Sequence, residues 1–435
     1  MIASTNPVSD TLRPSDIDRS GLKPHCHLMR NGQPIHYFVD DHLDLIRVDM
    51  VFEAGYAVQH KKMQALGAIQ LISEGTRRHT AREIAEFLDF RGIILEKNND
   101  ALTSQLTAYT LKRYLGDLLP LLRELVEEAT YPQEEFEIFV AKRRQQLLTN
   151  WQKTSYVARN FFWRNLYGEK HPLGNFALSS DLDLLTADDL RQFHREYLQL
   201  PSARLMVSGN VTDEVLQQMD DCFANVPWQA PIARHLEAPR DARVAGLCQY
   251  ELPNAVQNTL RVGRLLPFRW DDPAYAQFMV LSTLLGGYFG SRLMSNLRED
   301  KGYTYGVNAM TLVCRDSLMF SIVTDVASDK ASDAMSEILK ELARLREELV
   351  PEEELQLVRT SMLGDFMRSI DGVFERTERY GQMCGACIDE RFTDNFMAAL
   401  SDESPYYVTP EVLRALAQQT LDTGDLLQIS AGKPF

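Results

Sequence analysis

The amino-acid sequence predicts an α+β fold written twice: two duplicated domains, each a mostly antiparallel sheet covered by helices. Three observations predict it. "TYPQEEFEIF" (130–139) and "LVPEEELQLV" (349–358) correspond at a spacing of 219 residues. "LTADDLRQFHREYLQLPSARLMVSGN" (185–210) and "VTPEVLRALAQQTLDTGDLLQISAG" (408–432) correspond at 223. Early in each half, an apolar strand precedes a helix that stops at glycine: "LIRVDMVF" (45–52) before "ALGAIQLISEGT" (65–76), and "QNTLRVGRLL" (257–266) before "AQFMVLSTLLGG" (276–287).

Each element has a local reason. In 45–52, Ile46, Val48, Met50 and Phe52 alternate with Arg47 and Asp49, the pattern of a strand with one buried face. The first repeated pair places a proline at the opening turn of a helix. The second reads as a threonine cap, a helix, a short turn and a closing apolar strand. Long helices mixed with strands at hairpin-like spacing give a sheet with helices packed over a face. The join falls in "NVPWQAPIARHLEAPRDARVAG" (225–246), rich in Pro and Arg, which predicts domains at 1–230 and 245–435 with 231–244 as linker.

A chain of 435 residues accommodates two or three domains. Its 45% hydrophobic and 25% charged content is that of a folded protein. No apolar run approaches the roughly 20 residues of a membrane span, so no membrane role is expected. The opening "MIASTNPVSDTLRPSDIDRS" lacks a basic-then-apolar signal, which predicts a cytoplasmic location and leaves a periplasmic one compatible. A net charge of −15 argues against nucleic acid and suits neutral or basic peptides better. Six cysteines make no disulfide scaffold. Cys384 and Cys387 in "QMCGACIDE" lack the second pair that a four-cysteine zinc site needs, and are expected as small buried thiols on a helix.

The histidines have plain explanations. Thr80 and Glu83 after His79 form a capping box. Asn31-Gly32 in "HCHLMRNGQPIHYF" (25–38) predicts a two-residue hairpin turn, which sets His27 opposite His36 with His25 on the face of His27. No carboxylate or thiolate is clearly placed to complete a metal site there. His171 and His194 have no partner spacing.

The segment "RLMSNLREDKGYTYGV" (292–307) holds the most specific chemistry. It reads as a helix ended by Gly302 and then a strand, with Arg298 and Tyr305 seven residues apart across the corner. Arg298 sits on the last turn, where the helix's negative end favours a cation. Tyr305 shares a strand face with Tyr303 by alternation. On the residues alone, an Arg298 pair with Glu299 or Asp300 and a half-buried sheet tyrosine explain the segment as well.

The duplicated layout, "HPLGNF" (171–176), "VSGNV" (207–211) and "LLGGYFGSRLMSNLREDKGYTYGV" (284–307) resemble the pitrilysin/insulysin zinc metallopeptidases, which include the mitochondrial processing peptidases. The resemblance runs over nearly the whole chain. It implies a first-domain helix carrying His-x-x-Glu-His for zinc and general base, a third ligand on a later helix, and second-domain Arg and Tyr reaching the substrate. Here the three motif positions are Leu66, Ile69 and Gln70, and the stretch 138–168 contains no acid. Zinc is therefore expected in a partner subunit and not in this chain. Arg298 and Tyr305, with Gly286 and Gly287 as a small wall beside the peptide, are the expected substrate-binding residues. The implied function is that of a catalytically incomplete subunit paired with a zinc-bearing homologue, or with itself as a homodimer, acting on peptides. The alternative is a structural pseudo-peptidase.

Overall fold

The computed structural model describes residues 12–232, 235–237 and 244–435. The N-terminal residues 1–11 and linker residues 233–234 and 238–243 lie outside it. Internal packing sorts the chain into two units: Leu22–Val244 with Ile370–Cys387, and Ala245–Ser369 with Ile388–Phe435 and the described residues before Leu22. The segment 370–387, assigned from the sequence to the C-terminal repeat, thus packs with the first.

The first unit runs β1 (His25–Leu28), β2 (Pro34–Val39), β3 (Leu45–Phe52), α1 (Gln64–Gln70), α2 (Ala81–Arg91), β4 (Ile94–Asn99), β5 (Ser104–Leu111), α3 (Leu115–Glu128), α4 (Gln133–Asn150), α5 (Thr154–Tyr167), α6 (Ala187–Tyr197), β6 (Arg204–Gly209) and α7 (Asp213–Phe223). Its sheet has the order β1-β2-β6-β3-β5-β4, with β2 and β6 parallel and the other neighbours antiparallel. The second half continues with β7 (Gly246–Glu251), β8 (Gln257–Leu266), α8 (Pro273–Ser282), β9 (Thr304–Cys314), β10 (Ser317–Ala327), α9 (Ala331–Glu347), α10 (Glu352–Arg368), α11 (Val373–Ala386), α12 (Glu390–Leu400), α13 (Pro410–Thr420) and β11 (Leu427–Gly432). Its sheet order, β7-β11-β8-β10-β9, repeats that of β2-β6-β3-β5-β4, including the single parallel pair. The duplication is therefore one of topology as well as of sequence.

The caps fall where the side chains dictate. Thr80, Thr186 and Thr409 accept from the backbone of the first turns of α2, α6 and α13. In the first unit, Ile46, Val48, Met50 and Phe52 join Ile69 of α1, Leu122 of α3 and Phe193 of α6 in one apolar core. In the second, Phe278 of α8 meets Phe320 of β10 edge to face at 5.2 Å between centroids.

Strand β3 departs from the alternation. Residues 46–52 are all buried, because α11 lies over the polar face of the sheet. Arg47 grips Asp49, with Nε at 2.9 Å from Oδ2 and Nη2 at 2.9 Å from Oδ1, and its Nη1 donates to the Phe374 carbonyl of α11. Gln105 and Thr107 also donate to Asp49. Burial pulls the Arg47 pKa down, but the charge of Asp49 and its hydrogen bonds carry the net shift upward. Tyr380 of α11 packs on His36 and Phe38, and Phe374 packs edge-on to Tyr109.

The β1–β2 register differs from the predicted hairpin. The turn closes from Met29 to Gln33, so Cys26 faces His36 and His27 faces Ile35. His27 and His36 therefore occupy opposite faces. Three further histidines have structural partners: His194 bonds the Val126 carbonyl, His171 caps a short helix and stacks on Tyr167, and His79 bonds Glu124. Cys384 is only half-buried and Cys387 is exposed at the end of α11, contrary to the expected buried thiols. Among the described residues, no helix is long and apolar enough to cross a membrane.

Asp49→Ala would strand the buried Arg47 charge and is expected to cost about 3 kcal/mol or more in urea unfolding. The Arg47→Met/Asp49→Leu double variant is expected to recover most of that loss. The pKa of His194 is lowered first by burial, then raised in part by its carbonyl bond, and lies below its ordinary value of 6.5; burial likewise lowers His36 and His171. Groups of this kind leave stability intact above pH 6.5 and weaken it as pH falls, because the unfolded chain protonates first. The urea midpoint is expected to drop between pH 7.5 and 5.5, and to drop less in His194→Gln.

Candidate functional site

Helix α1 holds the three positions at which the family motif would place zinc ligands. Ile69 is fully buried in the core. Gln70 donates from its side-chain amide to the Lys97 carbonyl at 2.7 Å, while Lys97 Nζ returns bonds to the Gln70 carbonyl and Ser73 Oγ. Leu66 faces a cleft of about 500 Å³ whose lining includes Lys62, Asn99, Arg159, Trp163 and Phe176 and no acidic residue. Zinc needs three imidazole, thiolate or carboxylate donors. A leucine, a core isoleucine and an amide already spent on β4 do not fit it, and no metal-binding group of three His, Cys, Asp or Glu occurs among the described residues.

The second place is the corner that carries Arg298 and Tyr305. After α8 the helix widens into π-type turns at Thr283–Gly287, and again at Met294–Asp300. Such widened turns recur at functional sites because they displace side chains from regular helical positions. The second segment is held firmly. Arg292 makes a two-pronged pair with Glu354, both bonds at 2.8 Å, and Asn296 donates to Glu337 and Glu341 of α9. Gly302, at φ +64°, turns the chain into β9.

Strand β9 begins with an irregularity. Thr304 pairs with Val326 and Val307 with Thr324, so Tyr305 and Gly306 together oppose Asp325. This bulge re-aims the side chain. It breaks the alternation that would have put Tyr305 on the face of Tyr303, which itself lies before the strand. Tyr305 is 93% exposed, on a strand at the sheet edge.

Arg298 is half-buried with its guanidinium 4.7 Å from the centre of the Phe289 ring. Among the described residues neither Arg298 nor Tyr305 has a hydrogen-bonding or ion-pair partner, so the expected alternative pairing with Glu299 or Asp300 is not formed. Gly287 is exposed, but Gly286 is buried. A Cβ on Gly286 would lie 2.8 Å from the Ala309 backbone nitrogen, so this glycine lets the helix close on β9 and forms no exposed wall.

The cleft, the bulge and the widened helices escaped the sequence. The signal nearest the cleft was "HPLGNF", whose Pro172, Leu173, Asn175 and Phe176 all line it.

One sheet order repeated in two units defines a duplicated α+β fold, and Leu66, Ile69 and Gln70 of α1 offer no zinc ligand set. Residues 184–362 match the family model described as the peptidase M16 inactive domain. That match spans less than half of the chain, and over that span the chain is similar to the peptidase M16 group. A non-peptidase homologue named YmxG from Helicobacter pylori is 23% identical over 290 residues, covering 65% of this chain and 66% of that protein. An uncharacterised zinc protease, YmxG of Bacillus subtilis, is 23% identical over 71% of this chain and 75% of its own length. The solved peptidase M16 inactive domain from Pseudomonas fluorescens superposes with a TM-score of 0.82 at 19% identity, over 95% of this chain and 98% of that one.

Gly286→Ala is expected to lower stability by about 1–3 kcal/mol in urea unfolding, because backbone rather than a flexible side chain must give way. Gly287→Ala meets only the Thr283 side chain and is expected to change it less.

Proposed function

We infer that this chain is the zinc-free subunit of a two-subunit peptidase and lends Arg298 and Tyr305 to a zinc-bearing homologue. One observation carries the reading. The two donors stand without hydrogen-bonding or ion-pair partners among the described residues, while polar side chains of the same segment, Arg292, Asn296 and Lys301, are engaged. Donors held in place but unsatisfied suit an acceptor that arrives from outside.

The acceptor in this reading is the carbonyl oxygen of a bound peptide. As the tetrahedral intermediate forms, that oxygen gains negative charge, and the Arg298 N–H and Tyr305 O–H donate to it. Zinc in the partner would supply the activated water. Arg298 is steadied by the Phe289 ring beside it, and the bulge sets the backbone from which Tyr305 projects.

A fluorogenic peptide and a purified His-x-x-Glu-His homologue test the reading. Cleavage is expected from the mixture and not from this chain alone. Arg298→Ala and Tyr305→Phe are each expected to lower kcat on the order of 10²-fold with a smaller change in KM. Unchanged kcat in both variants would favour the scaffold alternative.

A further inference from the structure

The cleft over α1 takes no part in the chemistry of Arg298 and Tyr305, yet its walls are already built. Trp163 stacks on Tyr167 at 5.5 Å, and Tyr167 stacks on His171 at 4.8 Å. Phe176 is wedged against Trp151 at 4.9 Å and Phe161 at 5.4 Å, with the Arg164 guanidinium 3.6 Å from its ring centre. These rings are fixed by their neighbours, so a ligand meeting them pays little ordering entropy. The volume of about 500 Å³ is that of a site for a small molecule or a few peptide residues.

The charge of the cleft is opposite to that of the chain. Lys62 and Arg159 lie in its lining, which has no carboxylate, although the chain as a whole is at −15. Lys62 is shared with Asp181 outside the lining, at 3.4 Å. Arg159 has no ion pair among the described residues; its guanidinium lies 5.3 Å from the Tyr156 ring centre. An uncommitted guanidinium beside fixed aromatic rings selects a carboxylate attached to an apolar group, through paired N–H donors and ring contact together.

The geometry points to a carboxylate-binding peptide site in the cleft beside Leu66 of α1. Its ligand is a peptide carrying a carboxylate next to an apolar or aromatic residue. The carboxylate belongs to an acidic side chain or to a C-terminus. Arg159 holds it, Lys62 adds to the field, and Trp163, Phe176 and Leu66 take the neighbouring side chain. The site lies within the first unit and needs no second subunit, so it stands or falls separately from the role of Arg298 and Tyr305.

Calorimetric titration of the isolated full chain with three blocked peptides tests this. Acetyl-Ala-Phe-Glu-amide offers an acidic side chain, acetyl-Ala-Phe-Gln free acid offers a terminal carboxylate, and acetyl-Ala-Phe-Gln-amide is neutral. At least one anionic peptide is expected to bind tenfold or more tightly than the neutral one, and which one does so identifies the source of the carboxylate. The preference is expected to narrow as salt is raised. Arg159→Gln is expected to reduce the anionic peptide to the affinity of the neutral one with the urea midpoint unchanged, because Arg159 is exposed and unpaired. Leu66→Trp, which fills the cleft, is expected to remove binding of all three. Equal binding of the three peptides, no binding up to millimolar concentration, or a preference that survives Arg159→Gln would overturn the proposal.

Discussion

A buried carboxylate sets the terms for the first unit. Asp49 has no exposed surface, and a charge in that position is tolerable only when its oxygens are fully bonded. Arg47, Gln105 and Thr107 supply the bonds, and Arg47 passes one of its own to the carbonyl of Phe374. That last bond lies on α11, more than three hundred residues along the chain. The polar face of the first sheet is thus closed by a helix that the chain delivers only after four of the second sheet's five strands.

The two candidate places follow opposite rules. On α1, Leu66, Ile69 and Gln70 are each taken up by the scaffold or by a cleft wall: Ile69 in the core, Gln70 in a bond with β4, Leu66 in the lining. At the corner of the second unit the reverse holds. Supporting side chains are tied down, while the exposed Tyr305 and the half-buried Arg298 have no hydrogen-bonding partner among the described residues. Uncharged side chains suit a closed core, whereas a donor without a partner stays available to an acceptor from outside.

Much of the fold was legible in the residues because its signals are local. Threonine caps at 80, 186 and 409, the glycine at 302 and the apolar phase of β3 each follow from a few neighbouring side chains. The duplication was legible because both halves repeat those signals in one order. What escaped depends on contacts distant in sequence. Arg47 and Asp49 look like the wet face of a strand until α11 covers them. The β1–β2 register was misjudged because the turn runs from Met29 to Gln33, longer than Asn31-Gly32 alone suggests. The bulge at Tyr305 is set by pairing with β10, and the cleft by the approach of α5 and residues 172–177 to α1. The chemistry at Arg298 and Tyr305 was visible as residue types, but their freedom from partners was visible only in three dimensions.

The placement of α11 has a further consequence for the integrity of the molecule. A protease that severed the chain between its halves would leave the later fragment with one of its helices still stitched into the earlier fragment's sheet. The two pieces would travel as a single particle on a sizing column and come apart only when that sheet melts. A nick there would be silent until the sample was denatured.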